Sequence, residues 1–392
     1  MSRPKVLALV SFFPQPEDRG DPVRVMAALR ALDISSDLTV VAVRRPTTLA
    51  DDVTALRDTL RGRVVDLPLP KHNRATRWLG AVRKGTPPWI LARTSPDMCR
   101  FIAAHQGEFD RIVALGEASA SCFLRFRSSG PWHWDKANVL SRSSVQDIDE
   151  APDLVRRARA TLVHRLSVAY ERRLVPAAST ISVTSEEEGR RLAETFGRTA
   201  DLVIPSSVEL PERISDRRVG GFVVWLGSLD YTSNVAGLRA FVAGGLPLLR
   251  EARLTLRVIG SGGAPEVVEK LRREPGVEFV GYQPDLGAAL SDARLAVVPL
   301  WSGAGIKLKT LTLLAHGLTV AGTPVAFEGI PQPTRVALVA EDPRSLATAL
   351  LECAPDQADQ LARNARRLVS ETFSHAVTRE QFGRLSHGLA AG

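Results

Sequence analysis

The stretch of sequence that decides the fold runs from Pro299 to Thr312 and reads PLWSGAGIKLKTLT. It begins at the end of an apolar run of strand character, crosses a loop of small residues and enters the apolar pattern of a helix. Glycines in such a loop let a ligand approach the backbone closely. The first turn of a helix presents unpaired N–H groups and a partial positive charge. The segment therefore predicts an anion site suited to phosphate.

Two lysines, Lys307 and Lys309, lie in the first turn of this predicted helix. The chain has only seven lysines among its 51 basic residues, so the other 44 are arginines. A pair of cations at a helix N-terminus opposes the helix dipole, which costs stability unless an anion is bound. We therefore take both side chains as candidate phosphate-binding and catalytic groups. The alternative is a surface loop with ordinary solvated lysines.

Three further loops in the same half of the chain join the end of a predicted strand to a helix. The first could form a second wall of the phosphate pocket, or could be a plain turn between a strand and a helix. The second has a weak glycine motif that lacks the full dinucleotide-binding fingerprint. An aromatic side chain in the third loop could stack on a nucleobase. The candidate residues are Gly227, Ser228 and Asn234 in the first loop, Gly260 in the second and Tyr282 in the third.

The rest of the chain alternates short β-branched runs with helical patterns, which predicts βαβ units and a parallel sheet. In the first half we expect strands over residues 5–12, 38–43, 63–67, 111–115, 138–140 and 180–183, and helices over 22–32, 48–60, 97–105, 118–125, 153–174 and 185–196. A Pro-containing, aperiodic stretch over 205–220 reads as a linker, after which the alternation restarts. The fold class predicted is α/β, with two Rossmann-like doubly wound domains that face a cleft.

Composition excludes several classes of protein. The chain has 392 residues, of which 44% are hydrophobic and 24% charged, as in soluble globular proteins. No uncharged apolar run is long enough for a membrane span, and the N-terminus lacks a signal-peptide cleavage site. The three cysteines suggest neither a disulfide framework nor a metal site, so we expect a cytoplasmic location.

The net charge of +8 does not by itself indicate a nucleic-acid partner, because most arginines are scattered over helical stretches. Residues 67–96 contain six basic residues, two tryptophans and no acidic residue. The predicted helix over 153–174 is also rich in arginine. A basic face with tryptophans could make peripheral contact with the inner face of an anionic membrane. It could equally shape an acceptor channel or be plain surface.

The ordered series of motifs in the second half resembles the donor-binding domain of a glycosyltransferase with the GT-B fold, in glycosyltransferase family 4. The resemblance covers about residues 205–335 and is weaker in the first half. The matching motifs are GSLDY at 227–231 followed by Asn234, VIG at 258–260, VEFVGY at 277–282, VPL at 298–300, GAGIKLKTL at 303–311, AHGL at 315–318 and FEGI at 327–330.

The resemblance implies transfer of a sugar from a nucleotide-diphosphate sugar to an acceptor hydroxyl, with retention at the anomeric carbon and with neither metal nor cofactor. It implies an acceptor-side domain over 1–205 and a donor-binding domain over 206–374, with a C-terminal helix over 375–392 that packs back on the first domain. Lys307 and Lys309 would stabilise the departing diphosphate. The donor-binding residues would be Gly20, Gly227, Ser228, Asn234, Gly260, Tyr282, Gly303, Gly305, Ile306 and Thr312, and the acceptor-side residues Arg24 and Glu117.

The sequence departs from the family pattern at several positions. Thr312 and Ala304 stand where the family usually has a pair of glutamates, and Ser228 and Asn234 stand where it often has Arg and Lys. Three other hypotheses therefore stay open. They are a homologue that binds a nucleotide or partner without turnover, a nucleotide-sugar epimerase on the same fold, and a nucleic-acid-binding protein.

Overall fold

The computed structural model consists of two compact units. The first comprises Met1–Ser206 and Ala376–Gly392, and the second comprises Ser207–His375. The structure describes residues 3–15, 20–45, 48–69, 74–125, 128, 130–149, 151, 153–211, 221–303 and 305–387. The C-terminal helix thus belongs to the same unit as the N-terminal half of the chain.

Within the described residues, the first unit has a parallel sheet of seven strands. They are β1 (Lys5–Val10), β2 (Asp37–Arg44), β3 (Arg63–Pro68), β4 (Arg111–Leu115), β5 (Trp132–Asp135), β6 (Thr180–Val183) and β7 (Leu202–Val203), in the spatial order β3-β2-β1-β4-β5-β6-β7. Side chains of β1 alternate between two apolar cores, since Val6 and Ala8 pack into one and Leu7 and Leu9 into the other. The sheet is therefore buried on both faces, as parallel sheets are.

Helices cover both faces of this sheet. They are α1 (Gly20–Ser35), α2 (Ala50–Thr59), α3 (Arg74–Lys84), α4 (Pro88–Arg93), α5 (Pro96–His105), α6 (Glu117–Ala120), α7 (Leu140–Asp149), α8 (Leu154–Leu174) and α9 (Glu186–Phe196), with 3-10 turns at Gln106–Glu108 and Ser121–Leu124. The long helix begins where Asp153 caps it by accepting a hydrogen bond from the Arg156 N–H. No helix in the described part of the chain is both long and apolar enough to cross a bilayer.

The second unit repeats the design with six described strands, all parallel. They are β8 (Phe222–Leu226), β9 (Thr255–Ile259), β10 (Val277–Gly281), β11 (Leu295–Val298), β12 (Thr319–Gly322) and β13 (Leu338–Val339), in the order β10-β9-β8-β11-β12-β13. Its described helices are α10 (Thr232–Gly244), α11 (Leu246–Glu251), α12 (Pro265–Arg273), α13 (Leu286–Leu290), α14 (Leu308–Ala315), α15 (Pro343–Glu352) and α16 (Pro355–Thr372), with 3-10 turns at Pro324–Phe327 and Pro333–Arg335; α17 (His375–His387) then runs into the first unit.

The predicted α/β class is confirmed, and most of the predicted elements are confirmed within a few residues. One strand is misplaced, because the sheet takes Trp132–Asp135 and not residues 138–140. The helices α3, α4 and α7 and the two-residue strand β7 were not predicted. Residues 212–220 of the predicted linker lie outside the described residues.

The expectation of unpaired cysteines is wrong for two of the three. Cys99 in α5 and Cys122 in the 3-10 turn after α6 form a disulfide, with 5.0 Å between their Cα atoms. Both side chains are buried in the core that contains Leu7 and Leu9. The sequence separation of 23 residues hides this contact, which exists because the turn packs against α5.

Candidate functional site

The predicted donor-binding loops of the second unit all leave one edge of its sheet. β8, β9, β10 and β11 are neighbours in a parallel sheet, so their carboxyl ends lie along the same edge. The order of the strands reverses between β8 and β11, and such a switch point is where open α/β sheets bind ligands. The loop starting at Pro299 leaves β11 at this point.

Backbone contacts tie three of these loops together. The Gly227 N–H donates to the carbonyl of Ile259, and the Gly260 N–H donates to the carbonyl of Gly281. A Cβ at Gly260 would lie 1.8 Å from the carbonyl oxygen of Gly227, so only glycine fits there. The two glycines therefore let two loops touch, and their role in binding a donor stays a prediction.

In the glycine-rich loop after β9, the backbone binds a carboxylate side chain of the protein itself. The Gly263 N–H donates to a carboxylate oxygen of Asp230 at 2.9 Å. A Cβ at Gly262 would lie 2.4 Å from that carboxylate. Asp230 thus fills the concavity that the glycines make and links this loop to the one after β8.

Lys309 lies in the first turn of α14, and its side chain is largely buried. Its Nζ donates to Oδ1 of Asn234 at 2.7 Å and lies 5.3 Å from the ring centroid of Trp225. The Asn234 amide in turn donates to the carbonyl of Ser228 at 2.7 Å, which fixes the direction in which its oxygen points. Among the described residues, no carboxylate forms an ion pair with Lys309.

Burial, the larger cause, and the positive charge of Lys307 together lower the pKa of Lys309 to about 7. A buried ammonium without a carboxylate partner is costly for the protein alone. An anion bound beside it would remove that cost. The electrostatics therefore favour a bound anion at this point of the second unit.

Lys307 has a different environment, although it is only two residues away. Its Nζ donates to the Gly303 carbonyl at 3.2 Å, forms an ion pair with Glu328 at 3.2 Å and contacts the Gly305 carbonyl. These contacts hold the loop that precedes α14 in a closed turn. Lys307 thus positions the loop, and the catalytic role predicted for it stays a prediction.

The loop itself has the backbone that its glycines predict. Gly303 and Gly305 have φ angles of 112° and 76°, values that side chains other than glycine rarely adopt. Ile306 packs against the apolar core below the loop. Trp301, at the start of the loop, donates its indole N–H to the Glu341 carbonyl at 2.6 Å. Ala304 lies outside the described residues.

Three other predicted donor-binding side chains lie in the second unit. The Thr312 hydroxyl donates to the Leu308 carbonyl of its own helix at 2.9 Å. The Ser228 hydroxyl accepts a hydrogen bond from the Asp230 N–H at 3.2 Å. Tyr282 follows β10 and is 63% exposed. None of these contacts tests a donor-binding role.

In the first unit, Gly20 is the first residue of α1, and Arg24 one turn later is buried. The Arg24 guanidinium donates twice to Asp135, at 2.6 and 3.0 Å, and once to the Ile204 carbonyl at 2.8 Å. It also lies 5.3 Å from the ring centroid of Phe382. These contacts give Arg24 a role within the fold, and its predicted acceptor-side role stays a prediction. Its charge joins strands and the C-terminal helix inside the first unit.

Glu117 begins α6 after β4, and it is buried beside Lys136. Its Oε1 accepts from the Lys136 Nζ at 3.3 Å, while Oε2 has no hydrogen-bond partner among the described residues. The same ammonium forms a 2.6 Å ion pair with Glu171. Burial raises the pKa of Glu117 to about 7 against the attraction of Lys136. Its predicted acceptor-side role stays a prediction.

Several residues of both sites were missed by sequence reasoning. Trp225 and Glu328 contact the two candidate lysines, and Lys136 and Glu171 surround Glu117. The rarity of lysine in this chain is the signal that could have identified Lys136, although the strand it follows, β5, was not predicted at its true position.

The second unit matches a known family by sequence. Residues 220–356 match the family model described as glycosyl transferases group 1, and this range lies entirely within the second unit. No curated protein matches the chain.

Solved structures resemble the whole chain in fold. Sucrose-phosphate synthase from Thermosynechococcus elongatus is 19% identical, with a TM-score of 0.69 and 98% of each chain covered. Anabaena HepE, solved with UDP and glucose, is 14% identical, with a TM-score of 0.67 over 98% of this chain and 100% of that one. WaaG, a glycosyltransferase involved in lipopolysaccharide biosynthesis, is 15% identical, with a TM-score of 0.62 and the same coverage. The predicted GT-B fold is thereby confirmed.

Proposed function

We propose that the protein transfers a sugar from a nucleotide-diphosphate sugar to an acceptor hydroxyl, with retention and without a metal. The observation that carries the proposal is the largely buried Lys309 ammonium at the start of α14, whose Nζ has an amide partner and, among the residues that the structure describes, no carboxylate partner. It lies in the segment that matches the glycosyl transferases group 1 model. An anion is the ligand that such a cation favours.

In the proposed reaction, the bond between the anomeric carbon and the diphosphate oxygen breaks. Its electron pair stays on the diphosphate, and the acceptor oxygen bonds to the anomeric carbon from the same face. The acceptor proton passes to an oxygen of the departing phosphate, so no side chain is assigned as the base. Lys309 stabilises the negative charge that develops on the leaving group, in the manner of an oxyanion donor.

UDP-sugars are the first donors to test, because the Anabaena HepE structure contains UDP and glucose. The test is a thermal-shift screen of the full chain with UDP-, GDP- and dTDP-sugars, followed by an assay for release of the nucleoside diphosphate. We expect one class of donor to raise the melting temperature. Lys309→Ala should abolish that shift and lower turnover by about 100-fold or more, the typical cost of losing one oxyanion donor.

Lys270→Ala is the matched control, because Lys270 is an exposed lysine on α12 of the same unit. It should bind the donor like the wild type. If Lys309→Ala binds the donor normally, the proposed site is wrong.

A second candidate function is nucleotide binding without turnover. Thr312 favours it, because the family usually has a glutamate there and the threonine hydroxyl already donates to its own helix. Calorimetric binding of a nucleotide sugar, with neither transfer nor hydrolysis, would support this candidate over the first.

We also propose that the first unit makes peripheral membrane contact. Four apolar side chains on α3 and α8 are exposed, and Arg159 of α8 lies 5.0 Å from the Trp78 ring of α3, which makes the two helices neighbours. The exposed residues are Leu79, Val82, Leu154 and Val155. Co-sedimentation with phosphatidylglycerol vesicles should fall when Leu79 and Val82 are both replaced by Ser, and unchanged binding would contradict the contact.

A further inference from the structure

The first unit contains a cavity of about 340 Å³ bordered by cationic side chains from three separate elements. Arg83 and Lys84 come from the end of α3, Arg125 from the residue after the 3-10 turn 121–124, and Arg173 from the last turn of α8. None of the described residues that line it is acidic. Its size is at the lower end of small-molecule sites.

These four cations have no carboxylate partner within the described part of the chain. The Arg173 guanidinium donates to the Lys84 carbonyl at 2.7 Å, which brings the ends of α8 and α3 together. The charged groups are exposed, so each remains available to a ligand. Like charges that converge on one cavity repel each other, and an oxyanion bound among them removes the repulsion.

The inner wall of the cavity is formed by buried hydroxyl side chains. Thr86, Thr94 and Ser121 line it, and all three are buried. The hydroxyl oxygens of Thr94 and Ser121 lie 2.6 Å apart, while Thr94 also donates to the Ile90 carbonyl. The segment that holds Ser121 and Arg125 includes Cys122, whose disulfide to Cys99 fixes it against α5. Such fixed surroundings lower the cost of ordering the site when a ligand binds.

We propose that this cavity binds the phosphate group of a small phosphorylated molecule. Guanidinium groups suit phosphate because their planar fork can donate two hydrogen bonds at once. Leu91 and Leu124 add an apolar contact for the part of the ligand beyond the phosphate. The phosphate could belong to a soluble sugar phosphate or to a lipid headgroup, and these share the same chemistry. The proposal does not rest on the proposed transferase activity.

The test is a titration of the full chain, at low ionic strength, in the Lys309→Ala background so that the second unit does not contribute. The soluble probes are inorganic phosphate and glucose 6-phosphate, and their binding is measured by calorimetry. The lipid probes are vesicles of phosphatidic acid in phosphatidylcholine, with phosphatidylcholine alone as the blank. Arg83→Gln and Arg125→Gln should each weaken binding about tenfold, and the double variant more, as expected for lost charge-assisted hydrogen bonds.

Arg190→Gln is the matched control, because Arg190 is an exposed arginine on α9 of the same unit, outside the cavity. Thermal unfolding of each variant checks that the fold is retained. If the parent protein binds the soluble probes and the double variant does not, the ligand is a soluble phosphate compound. If the parent protein binds only the vesicles and the double variant does not, the ligand is a lipid headgroup. The proposal is overturned if the double variant binds like Arg190→Gln, or if no phosphate compound binds the parent protein.

Discussion

Each unit holds a largely buried lysine beside a tryptophan, but the partners of the two ammonium groups differ in charge. In the first unit, the Lys136 Nζ lies 4.5 Å from the Trp134 ring centroid and forms ion pairs with Glu117 and Glu171. In the second, Lys309 has a similar aromatic neighbour, yet its Nζ contacts the neutral amide of Asn234.

The effects on the two pKa values follow from these partners. Burial lowers the pKa of Lys136, but attraction by Glu117 and Glu171 outweighs burial and raises the pKa overall. No carboxylate in the described part of the chain attracts Lys309 in this way, so burial and the charge of Lys307 lower its pKa to about 7. The comparison teaches that burial of a lysine does not by itself indicate function. A buried charge balanced inside the protein holds the fold, whereas one left unbalanced favours an anion from outside.

The largest effect that tests this comparison is expected at Lys136. Lys136→Met should lower the free energy of unfolding by about 3–5 kcal/mol, because it leaves two buried carboxylates without their cation. Denaturant titration measures the change. Lys5→Met, at an exposed lysine of the same unit, should change stability by less than about 0.5 kcal/mol. A comparable loss in both variants would contradict the structural role of Lys136.

A carboxylate placed beside Lys309 should give this lysine the kind of charged partner that Lys136 has in the first unit. In Asn234→Asp, the new carboxylate would raise the pKa of Lys309 and compete with a diphosphate for its charge. We expect the Kd for the nucleoside diphosphate to rise about tenfold, measured by calorimetry. Asn234→Ala removes the same amide without adding charge and should lose less affinity. Tighter binding by the aspartate variant would show that the comparison is wrong.

The lowered pKa of Lys309 also predicts how binding depends on pH. Above pH 7 the free amine is mostly neutral, and a bound diphosphate must first draw a proton onto it. The Kd should therefore rise as pH rises, by about tenfold between pH 7 and pH 8.5. Calorimetry in buffers of different ionisation enthalpy should reveal proton uptake on binding at pH 8. A Kd that does not change over this range would contradict the unbalanced charge.

The smallest effect is expected at Glu117, whose pKa is raised from 4.5 to about 7. Between these values the folded protein holds a proton that the unfolded chain has lost. The stability that Glu117 contributes is therefore complete below pH 4.5 and is lost as pH rises through 7. Glu117→Gln removes this titration, so it should reduce the fall in the free energy of unfolding between pH 6 and pH 7 by about 1 kcal/mol. Glu194→Gln, at an exposed acid on α9, should leave the pH dependence unchanged.

Local patterns in the sequence predicted the sheets and the loop before α14 well. β-branched runs, helical periodicity and glycines before a helix are set by nearby residues, so they can be recognised without knowing the fold. Strand β5 was misplaced because its sequence, Trp-His-Trp-Asp, lacks β-branched residues. Its His133 is buried neutral, with a pKa lowered to about 4 by burial, and contacts hydroxyls of Thr180 and Ser182.

Contacts between distant residues could not be predicted in this way. Arg24 has the position of a candidate ligand-binding cation in the sequence, but Asp135, 111 residues later, pairs with it inside the core. The same holds for Glu117 and Lys136, and for the two cysteines. Whether a charge is balanced depends on residues that only the fold brings together.

The place of α17, after the second unit in sequence but in the core of the first, has a consequence for synthesis of the protein. Phe382 and Leu385 of α17 lie in the same core as Val6 and Met26 of the first unit, after the chain has completed the second unit. Domains generally fold in the order in which the ribosome releases them. This core is different, because it lacks two of its buried side chains until residues 382–385 have emerged, after the whole second unit. During translation the second unit can therefore mature first, while the first remains open to chaperones for longer.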